Sequence, residues 1–357
     1  MTVRITKPEF NLRDKLSETD KPTGLKGNEL MRAGTTQDAR NLVSADRRNL
    51  IINGDFRISQ RADYTTSAVT AGHDTYWLDR WMSLKSGTTS TMQRVTRTVN
   101  GISQYAARIE CTVAGTGIIG FNQRVELSNI PVGRTLTASA MVRTNHPYVG
   151  FRTNSFQGSA GDKGVKAIAD GNWHRIYWTF DSTGTTSAYG DILIVAYNNN
   201  NVSIAVGDFI EIAEVQLEVG KVATEFEHRS YNKELALCQR YFCIYHACTQ
   251  EWIYFEGATF NHKWWQTYVP TGMRNEPSVT LKGTCSTNNI SAGGGTISGL
   301  SVQAIDNGGN AGTTHLGSMG RVSYRVAFSG NHGNAYEIRH TDGWGNGNGW
   351  VEYDSEL

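Results

Sequence analysis

Residues 104–113 have the sequence QYAARIECTV, in which every second position carries an apolar or aromatic side chain. A period of two is typical of a β-strand with one buried face, and residues 135–142 (TLTASAMV) and 172–180 (NWHRIYWTF) repeat it. Two further segments, DILIVAY at 191–197 and DFIEIAEVQLEV at 208–219, are apolar enough to be strands buried on both faces. The alternating positions are Tyr105, Ala107, Ile109, Cys111 and Val113, then Leu136, Ala138, Ala140 and Val142, then His174, Ile176, Trp178 and Phe180.

Polar loops separate these segments, among them AGTG at 114–117, NIPVG at 129–133 and YNNNN at 197–201. Short strands divided by such loops are typical of an antiparallel sandwich, and we predict about nine strands between Asn49 and Phe226. The topology that fits them best is a two-sheet jelly roll. The fold class predicted for the chain is all-β, with a partly helical or extended N-terminal arm, a jelly-roll sandwich, a short linking helix and a β-rich distal domain.

The linking helix is predicted at residues 230–242, SYNKELALCQRYF, with Ser230 as its N-cap. After it, strand-like segments alternate with Gly-rich loops. Residues 1–47 have so little apolar surface that they cannot fold alone, and we expect them to order against a partner. The predicted domains are an attachment arm at 1–47, a jelly-roll sandwich at 48–229, the helix at 230–242 and a distal β-sandwich domain at 243–357.

The charge of the chain excludes several classes of partner. Among 357 residues, 34 Lys and Arg stand against 33 Asp and Glu, for a formal net charge of +1. Nucleic-acid binders and polybasic membrane-surface proteins both need massed cations, so we expect neither partner. The chain has no run of 18 apolar residues, and its start, MTVRITKPEF, lacks the apolar core of a secretory signal. Membrane insertion is therefore not expected.

The five cysteines do not form a recognisable metal motif. Cys238, Cys243 and Cys248 recur every five residues, unlike the C-x-x-C spacing of zinc sites. We expect buried free thiols, because an unpaired cysteine behaves as a small apolar side chain. Synthesis in a reducing cytoplasm agrees with this expectation.

The sequence has no H-E-x-x-H, G-x-S-x-G, Walker or G-x-G-x-x-G pattern in a suitable context. Asp55, Asp74 and Asp79 lie near Trp77 and Trp81 in the sequence, as a glycosidase acid pair could. Structural hydrogen bonding or a calcium site at the sandwich edge is the alternative that we prefer. We expect no cofactor. Structural calcium is compatible with the sequence, which does not locate it.

Aromatic and amide side chains are the strongest chemical feature of the distal region. Sugars present apolar C–H faces and hydroxyls, so proteins bind them with exposed Trp or Tyr beside polar groups. Adjacent residues of a strand point to opposite faces, so one of a Trp pair can be exposed, and a Gly/Asn loop is a poor place to bury a ring. Packing in a core or a subunit interface is the alternative for each Trp. The candidate receptor-binding residues are Trp264, Trp265, Trp344, Trp350, His340 and Asp342, whereas Trp77, Trp81, Trp173 and Trp178 are assigned to the sandwich core.

Several separated segments resemble, in order, patterns that recur in bacteriophage tail-fibre and related virion proteins. Residues 49–61, NLIINGDFRISQR, resemble the start of a jelly-roll module in that family, and Asp79-Arg80-Trp81 corresponds to its D-R-W. Residues 213–242, AEVQLEVGKVATEFEHRSYNKELALCQRYF, resemble its closing pattern, with Phe242 in place of a Tyr. VPTGMRNEPSVTL at 269–281 and the ending EYDSEL are similar to its following domain. The N-terminal arm resembles those of marine, cyanophage-like viruses.

This resemblance implies a non-enzymatic virion component that forms homotrimers. Residues 1–47 would attach it to other phage tail proteins, and the distal domain would recognise host glycan or lipopolysaccharide. Its location would be the tail of the virion, after synthesis in the bacterial cytoplasm. The alternatives are a purely structural tail or head component and a tailspike depolymerase, for which the sequence has neither β-helix repeats nor a clear carboxylate pair. The candidate attachment residues are Phe10, Leu12, Leu16, Leu25 and Leu30.

Overall fold

A computed structural model describes most of the sandwich and the strands that follow it. Contacts along the chain divide it into two units, residues 1–50 and 51–357, and only residues 48–50 of the first unit are described. The arm at 1–47, with the candidate attachment residues Phe10, Leu12, Leu16, Leu25 and Leu30, therefore lies outside the described residues. The predicted four-part domain division stays a prediction. The described residues are 48–130, 133–153, 161–162, 166–182, 189–197, 202–247, 250–254, 261–268, 273–274, 278–282, 284–289, 296–302, 321–329, 335–341 and 349–356.

Two antiparallel sheets form the predicted sandwich. Sheet A contains, in order across the sheet, β1 (Val69–Thr70), β4 (Thr89–Val99), β5 (Ile102–Val113), β13 (Phe209–Val219), β7 (Thr135–Thr144) and β10 (His174–Asp181). Sheet B contains β2 (Thr75–Leu78), β3 (Trp81–Ser86), β6 (Gly115–Glu126), β11 (Tyr189–Ala196), β8 (Val149–Thr153) and β9 (Gly161–Asp162), with β12 (Val202–Ile204) also paired to β6.

The period-two pattern places one face of each strand in the core, as predicted. Strands β7 and β10 pair so that Ala140 lies opposite Ile176 and Ala138 lies opposite Trp178. Because directly paired residues lie on the same face, the small side chains of β7 leave room for the large ones of β10. All four of these side chains are buried. The prediction of an all-β sandwich is confirmed.

Two details of the strand prediction were wrong. The described residues between Val69 and Val219 contain thirteen strands rather than about nine, because strands of two or three residues such as β1 and β12 are too short to show a period. The ends of β5 are also more exposed than its alternation predicts, with Tyr105 36% and Val113 56% exposed. Strand β13 pairs with β5 only from Ala107 to Glu110, so Tyr105 and Val113 lie beyond the part of β5 that has a neighbouring strand on both sides.

The predicted helix is present as α1 (Tyr231–Gln239). The Ser230 hydroxyl accepts a hydrogen bond from the backbone N–H of Lys233, as expected of an N-cap. The helix ends before Phe242, which belongs to the next strand. At the turn between them, the N–H of Tyr241 donates to the carbonyl of Cys238 at 2.9 Å.

The described strands after α1 form three antiparallel sheets of three strands each, which agrees with the predicted β-rich distal region. The first is β14 (Phe242–Ala247), β22 (Gly349–Asp354) and β17 (Ser278–Lys282); the second is β15 (Gln250–Tyr254), β21 (Ala335–Thr341) and β18 (Thr284–Asn289); the third is β16 (Asn261–Tyr268), β20 (Arg321–Ser329) and β19 (Thr296–Val302).

The cysteines whose side chains the structure describes are buried free thiols, as predicted. They are Cys111, Cys238 and Cys243. Burial raises the pKa of Cys243 to about 12 and that of Cys238 well above its ordinary value, so both are poor nucleophiles. Cys248 lies outside the described residues.

Two features of the described residues bear on membranes and on metals. None of the helices in that part of the chain has the length and hydropathy needed to cross a bilayer. Over the same residues, no three His, Cys, Asp or Glu side chains come together as a candidate metal site.

Candidate functional site

A cleft of about 250 Å³ opens on the outer face of sheet A. Strands β7 and β10 form its floor, where Met141 lies opposite Arg175. One wall is the segment that follows β13, residues 221–229, which we call the strap. The lining residues are Met141, Arg175, Glu214, Glu225, Phe226 and His228.

A β-bulge in β13 brings Glu214 to the cleft. The pairing register of β13 with β7 shifts between Ala213 and Gln216, and Glu214 has a φ of 49°. A bulge of this kind adds one residue to one of the two paired strands. The side chain of the added residue no longer follows the regular alternation between the two faces of the sheet. The bulge is fixed from outside the strand, because the N–H of Val215 donates to the carbonyl of Gly54 at 2.9 Å.

Gly54 cannot carry a side chain at this contact. A Cβ added there would lie 2.2 Å from the carbonyl oxygen of Val215, which is far inside van der Waals contact. Gly54 belongs to the N-G pair of the segment that resembles the virion family. One role of that motif is therefore to hold the bulge that positions Glu214.

Glu214 joins the cleft to an aromatic side chain. Its carboxylate forms an ion pair with Arg97, which also donates to Gln104 Oε1 at 2.8 Å. The Arg97 guanidinium lies 5.1 Å from the ring centroid of Trp173, within the range of a cation–π contact. Burial lowers the pKa of Arg97, and Glu214 opposes that shift by stabilising the charged form. The result is a fixed row of Trp173, Arg97 and Glu214 beside the cleft.

Hydrogen bonds fix the strap over the outer face of sheet A. Glu218 accepts from the backbone N–H of Thr224 at 2.8 Å and from its hydroxyl at 2.7 Å. Gln216 accepts from the N–H of Glu227 at 2.9 Å, and Arg175 donates to the carbonyl of Thr224. These contacts anchor the strap at Thr224 and at Glu227. Phe226 lies between these two residues and reaches the cleft.

The strap adds a ring and an imidazole to the wall of the cleft. Phe226 is half-buried and His228 is exposed, with their ring centroids 5.0 Å apart at an interplanar angle of 80°. Together with Met141 they give the cleft an apolar surface, while Arg175 and Glu214 supply a donor and an acceptor. Such a surface suits a small ligand with apolar faces and several hydroxyl groups.

Trp173 is a correction to the sequence prediction. The sequence predicts a core position for it, as for Trp77, Trp81 and Trp178, but it is only half-buried. The other three are buried. Trp173 lies one residue before β10 and has the opposite parity to the buried series that includes Ile176 and Trp178, so the alternation itself could have placed it on the outer face.

The three carboxylates weighed as an acid pair have separate partners. Asp79 is fully buried and accepts from the N–H of Gln60 at 2.7 Å. Burial raises the pKa of Asp79, and the hydrogen bonds from Gln60 oppose this shift. Asp55 pairs with Arg57 at 2.5 Å. Asp74 lies in an exposed turn. This arrangement favours the structural alternative over a glycosidase pair.

The predicted receptor-binding residues fall in the distal region, where the structure describes the strands but not the side chains of these residues. Trp264 and Trp265 belong to β16, as the prediction of a strand there requires, and His340 and Trp350 belong to β21 and β22. Trp344 and Asp342 lie outside the described residues. Their role in binding stays a prediction. Glu214, Arg175, Phe226 and His228 were not predicted.

No protein-family model and no curated protein matches the sequence. Similar solved structures include the CBM22-1 xylan-binding domain from Paenibacillus barcinonensis, at 10% identity and a TM-score of 0.31, covering 45% of this chain and 100% of that one. A putative sugar-binding protein from Bacteroides thetaiotaomicron has 12% identity and a TM-score of 0.29, covering 48% and 100%. The enzymatically active domain of tailspike protein 4 of bacteriophage CBA120 has 11% identity and a TM-score of 0.31, covering 48% and 22%. At these values none of them assigns a function to this chain.

Proposed function

We propose that this chain is a non-enzymatic glycan-binding protein and that the cleft on sheet A takes the sugar. The observation that carries the proposal is the row formed by Trp173, Arg97 and Glu214 beside a partly apolar cleft. An indole ring can stack on the C–H face of a sugar, and carboxylate and guanidinium groups can bind its hydroxyls. The ion pair and the bulge hold these groups in place before any ligand arrives, which reduces the entropy lost on binding.

Binding without catalysis agrees with the state of the carboxylates. A glycosidase needs two carboxyl groups that flank the scissile bond, one of which must be free to protonate the leaving group. Of the two carboxylates that line the cleft, Glu214 is held by Arg97 and Glu225 is exposed on the strap, while the fully buried Asp79 has no access to a substrate. The proposed role is therefore recognition of a glycan rather than its hydrolysis.

We further propose that the protein acts as a tail fibre of a phage virion. The ordered match of residues 49–61, Asp79-Arg80-Trp81 and 213–242 to the virion family supports this role. The fibre would be a homotrimer that attaches to other tail proteins through residues 1–47. Its ligand would be host surface glycan or lipopolysaccharide, contacted by the cleft and by the distal strands that hold Trp264 and Trp265.

Glycan binding is tested with the purified full-length protein on an array of bacterial surface polysaccharides, followed by calorimetry on the best ligand. We expect Trp173→Ala and Phe226→Ala to weaken binding about tenfold each, which corresponds to about 1.4 kcal/mol. Tyr231→Ala is the matched control, because Tyr231 is an aromatic side chain 54% exposed on α1, in a different part of the fold. Unchanged affinity in both cleft variants would move the site to the distal strands.

The virion role needs a separate test. Antibody against the full-length protein should label one position on the tails of mature virions in electron micrographs, and light scattering should give the mass of a trimer. Excess purified protein should block adsorption of the virion to its host. Labelled virions without blocked adsorption would favour the alternative of a purely structural component. Release of sugar from polysaccharide would favour the depolymerase instead.

A further inference from the structure

The residues near the C-terminus return to the junction between the sandwich and the distal strands. Arg61 lies 3.0 Å from Asp354 and 3.6 Å from Glu356. Arg80 pairs with Glu356 and is almost completely buried. The two arginines therefore face a short acidic stretch of the same chain, in which Glu356 lies 276 residues after Arg80 and Asp354 lies 293 residues after Arg61.

Arg80 depends on this partner. Its guanidinium lies 3.5 Å from the ring centroid of Tyr241 and also donates to the carbonyl of Arg124. Burial on its own would lower the pKa of Arg80, but the carboxylate of Glu356 outweighs this effect and the pKa is raised. A buried cation without its counter-charge is strongly unfavourable, so the site is stable only when an anion occupies it.

The backbone of the acidic stretch is bound as specifically as its charges. The N–H of Ser355 donates to the carbonyl of Tyr241 at 2.7 Å, and its hydroxyl donates to the carbonyl of Arg240 at 3.2 Å. The N–H of Glu356 donates to Asp354 Oδ1 at 3.0 Å, which fixes the local turn. Ser355 is buried.

We propose that Arg61, Arg80, Tyr241 and Phe242 form a binding site for an acidic peptide, which we call the socket, and that its ligand is the stretch Asp354–Glu356 of the same chain. Phe242 completes it, because the Arg61 guanidinium lies 3.7 Å from its ring centroid. Strand β14 leaves the socket at Phe242, and β22 returns to it at Asp354, directly opposite in register. The socket thus fastens the distal strands to the sandwich at both of their ends.

The socket does not depend on glycan binding in the cleft. A segment joined at one end only could rotate or be pulled away from the sandwich, whereas a segment held at both ends transmits force without relying on a single linker. The two arginines of the socket select two carboxylates separated by one residue, here Asp354 and Glu356. The residue between them is the small, hydroxyl-bearing Ser355.

Carboxypeptidase digestion of the full-length protein, followed by mass spectrometry, tests the socket. We expect the enzyme to stop before Glu356 in the native protein, because Ser355 and Glu356 are held in the socket. In Arg61→Glu, which leaves the C-terminal sequence unchanged, we expect release of Glu356 and Ser355 at least tenfold faster. Arg57→Glu is the matched control, since it makes the same charge change four residues away, where Arg57 pairs with Asp55.

Circular dichroism in the near ultraviolet establishes that each variant is folded. If Arg61→Glu does not fold, Arg61→Gln replaces it and should still release Glu356 at least threefold faster than the native protein. Equal release rates in a folded Arg61 variant and in the native protein would overturn the proposal. So would rapid trimming of the native chain past Asp354.

Discussion

The sandwich has two polar regions rich in Arg–carboxylate pairs, and they differ in whether their polar side chains are exposed to a ligand. One region lies near α1, and we call it the base. Its residues are buried and bind one another or the backbone; they are Asn53, Asp79, Arg80 and Glu234. On the outer face of sheet A, the cleft keeps Arg175 exposed. The base contains the residues of the recognisable motifs. Glu214, Phe226 and His228 also fall within the motif at 213–242, so that motif supplies side chains to the cleft as well as to the scaffold. Arg97, Trp173 and Arg175 belong to no motif.

The largest effect is expected at the base, from Asn53→Ala. The Asn53 side chain donates to the carbonyls of Ile58 and Asp79 at 2.9 and 3.0 Å, and accepts from the N–H of Ile58 at 3.0 Å. Its φ of 57° is also less unfavourable for Asn than for Ala. We expect a loss of about 3–5 kcal/mol in the free energy of unfolding, measured by urea denaturation.

Asn172→Ala is the matched control for that experiment, because Asn172 is an exposed amide in the turn before β10. It should change the free energy of unfolding by less than about 0.5 kcal/mol. Similar losses in the two variants would contradict the view that the motif residues carry the scaffold.

Gly54→Ala connects the two regions. The added methyl would clash with the carbonyl of Val215 and displace the bulge that holds Glu214. We expect a loss of about 2–3 kcal/mol in stability together with at least tenfold weaker glycan binding. Asp55→Ala, at the neighbouring position, should leave the affinity unchanged. Full affinity in a destabilised Gly54→Ala protein would mean that the bulge does not position the site.

The outline of the fold could be predicted from sequence because period-two alternation and helix capping are local signals. The alternation in 135–142 and the Ser230 cap both correspond to observed elements. The cleft could not be predicted in this way. Glu214 reaches it only through a register shift fixed by Gly54, about 160 residues earlier in the chain, and no local pattern contains that contact.

The buried carboxyl of Glu234 should make the contribution of the base to the free energy of unfolding depend on pH. Burial raises the pKa of this carboxyl, although Arg229 and the N–H of Asn53 oppose the shift. A folded-state pKa above the unfolded value means that the contribution to stability is complete below the unfolded value of 4.5 and declines as pH rises through the folded value. Glu234→Gln removes this titration but keeps an oxygen that can accept from Asn53.

We therefore expect the free energy of unfolding of the native protein, relative to Glu234→Gln, to fall as pH rises from about 4.5. Urea denaturation at a series of pH values measures this difference, and groups common to both proteins cancel. Glu225→Gln in the cleft is the control, because Glu225 is exposed. A difference that rises with pH over this window would show that ion pairing with Arg229 outweighs burial.

The smallest effect on stability is expected at the cleft, from Trp173→Ala. Trp173 is half-buried, and its identified contact is the Arg97 guanidinium at 5.1 Å, so its removal should cost about 1 kcal/mol. Trp81→Ala provides the contrast, since Trp81 is fully buried and donates from Nε1 to the carbonyl of Asn53 at 2.9 Å. That change should cost about 3–5 kcal/mol.

A tryptophan that costs little to remove yet weakens glycan binding about tenfold is retained for its ligand. If Trp173→Ala cost as much stability as Trp81→Ala, both regions would be scaffold, and the search for the sugar site would turn to the distal strands.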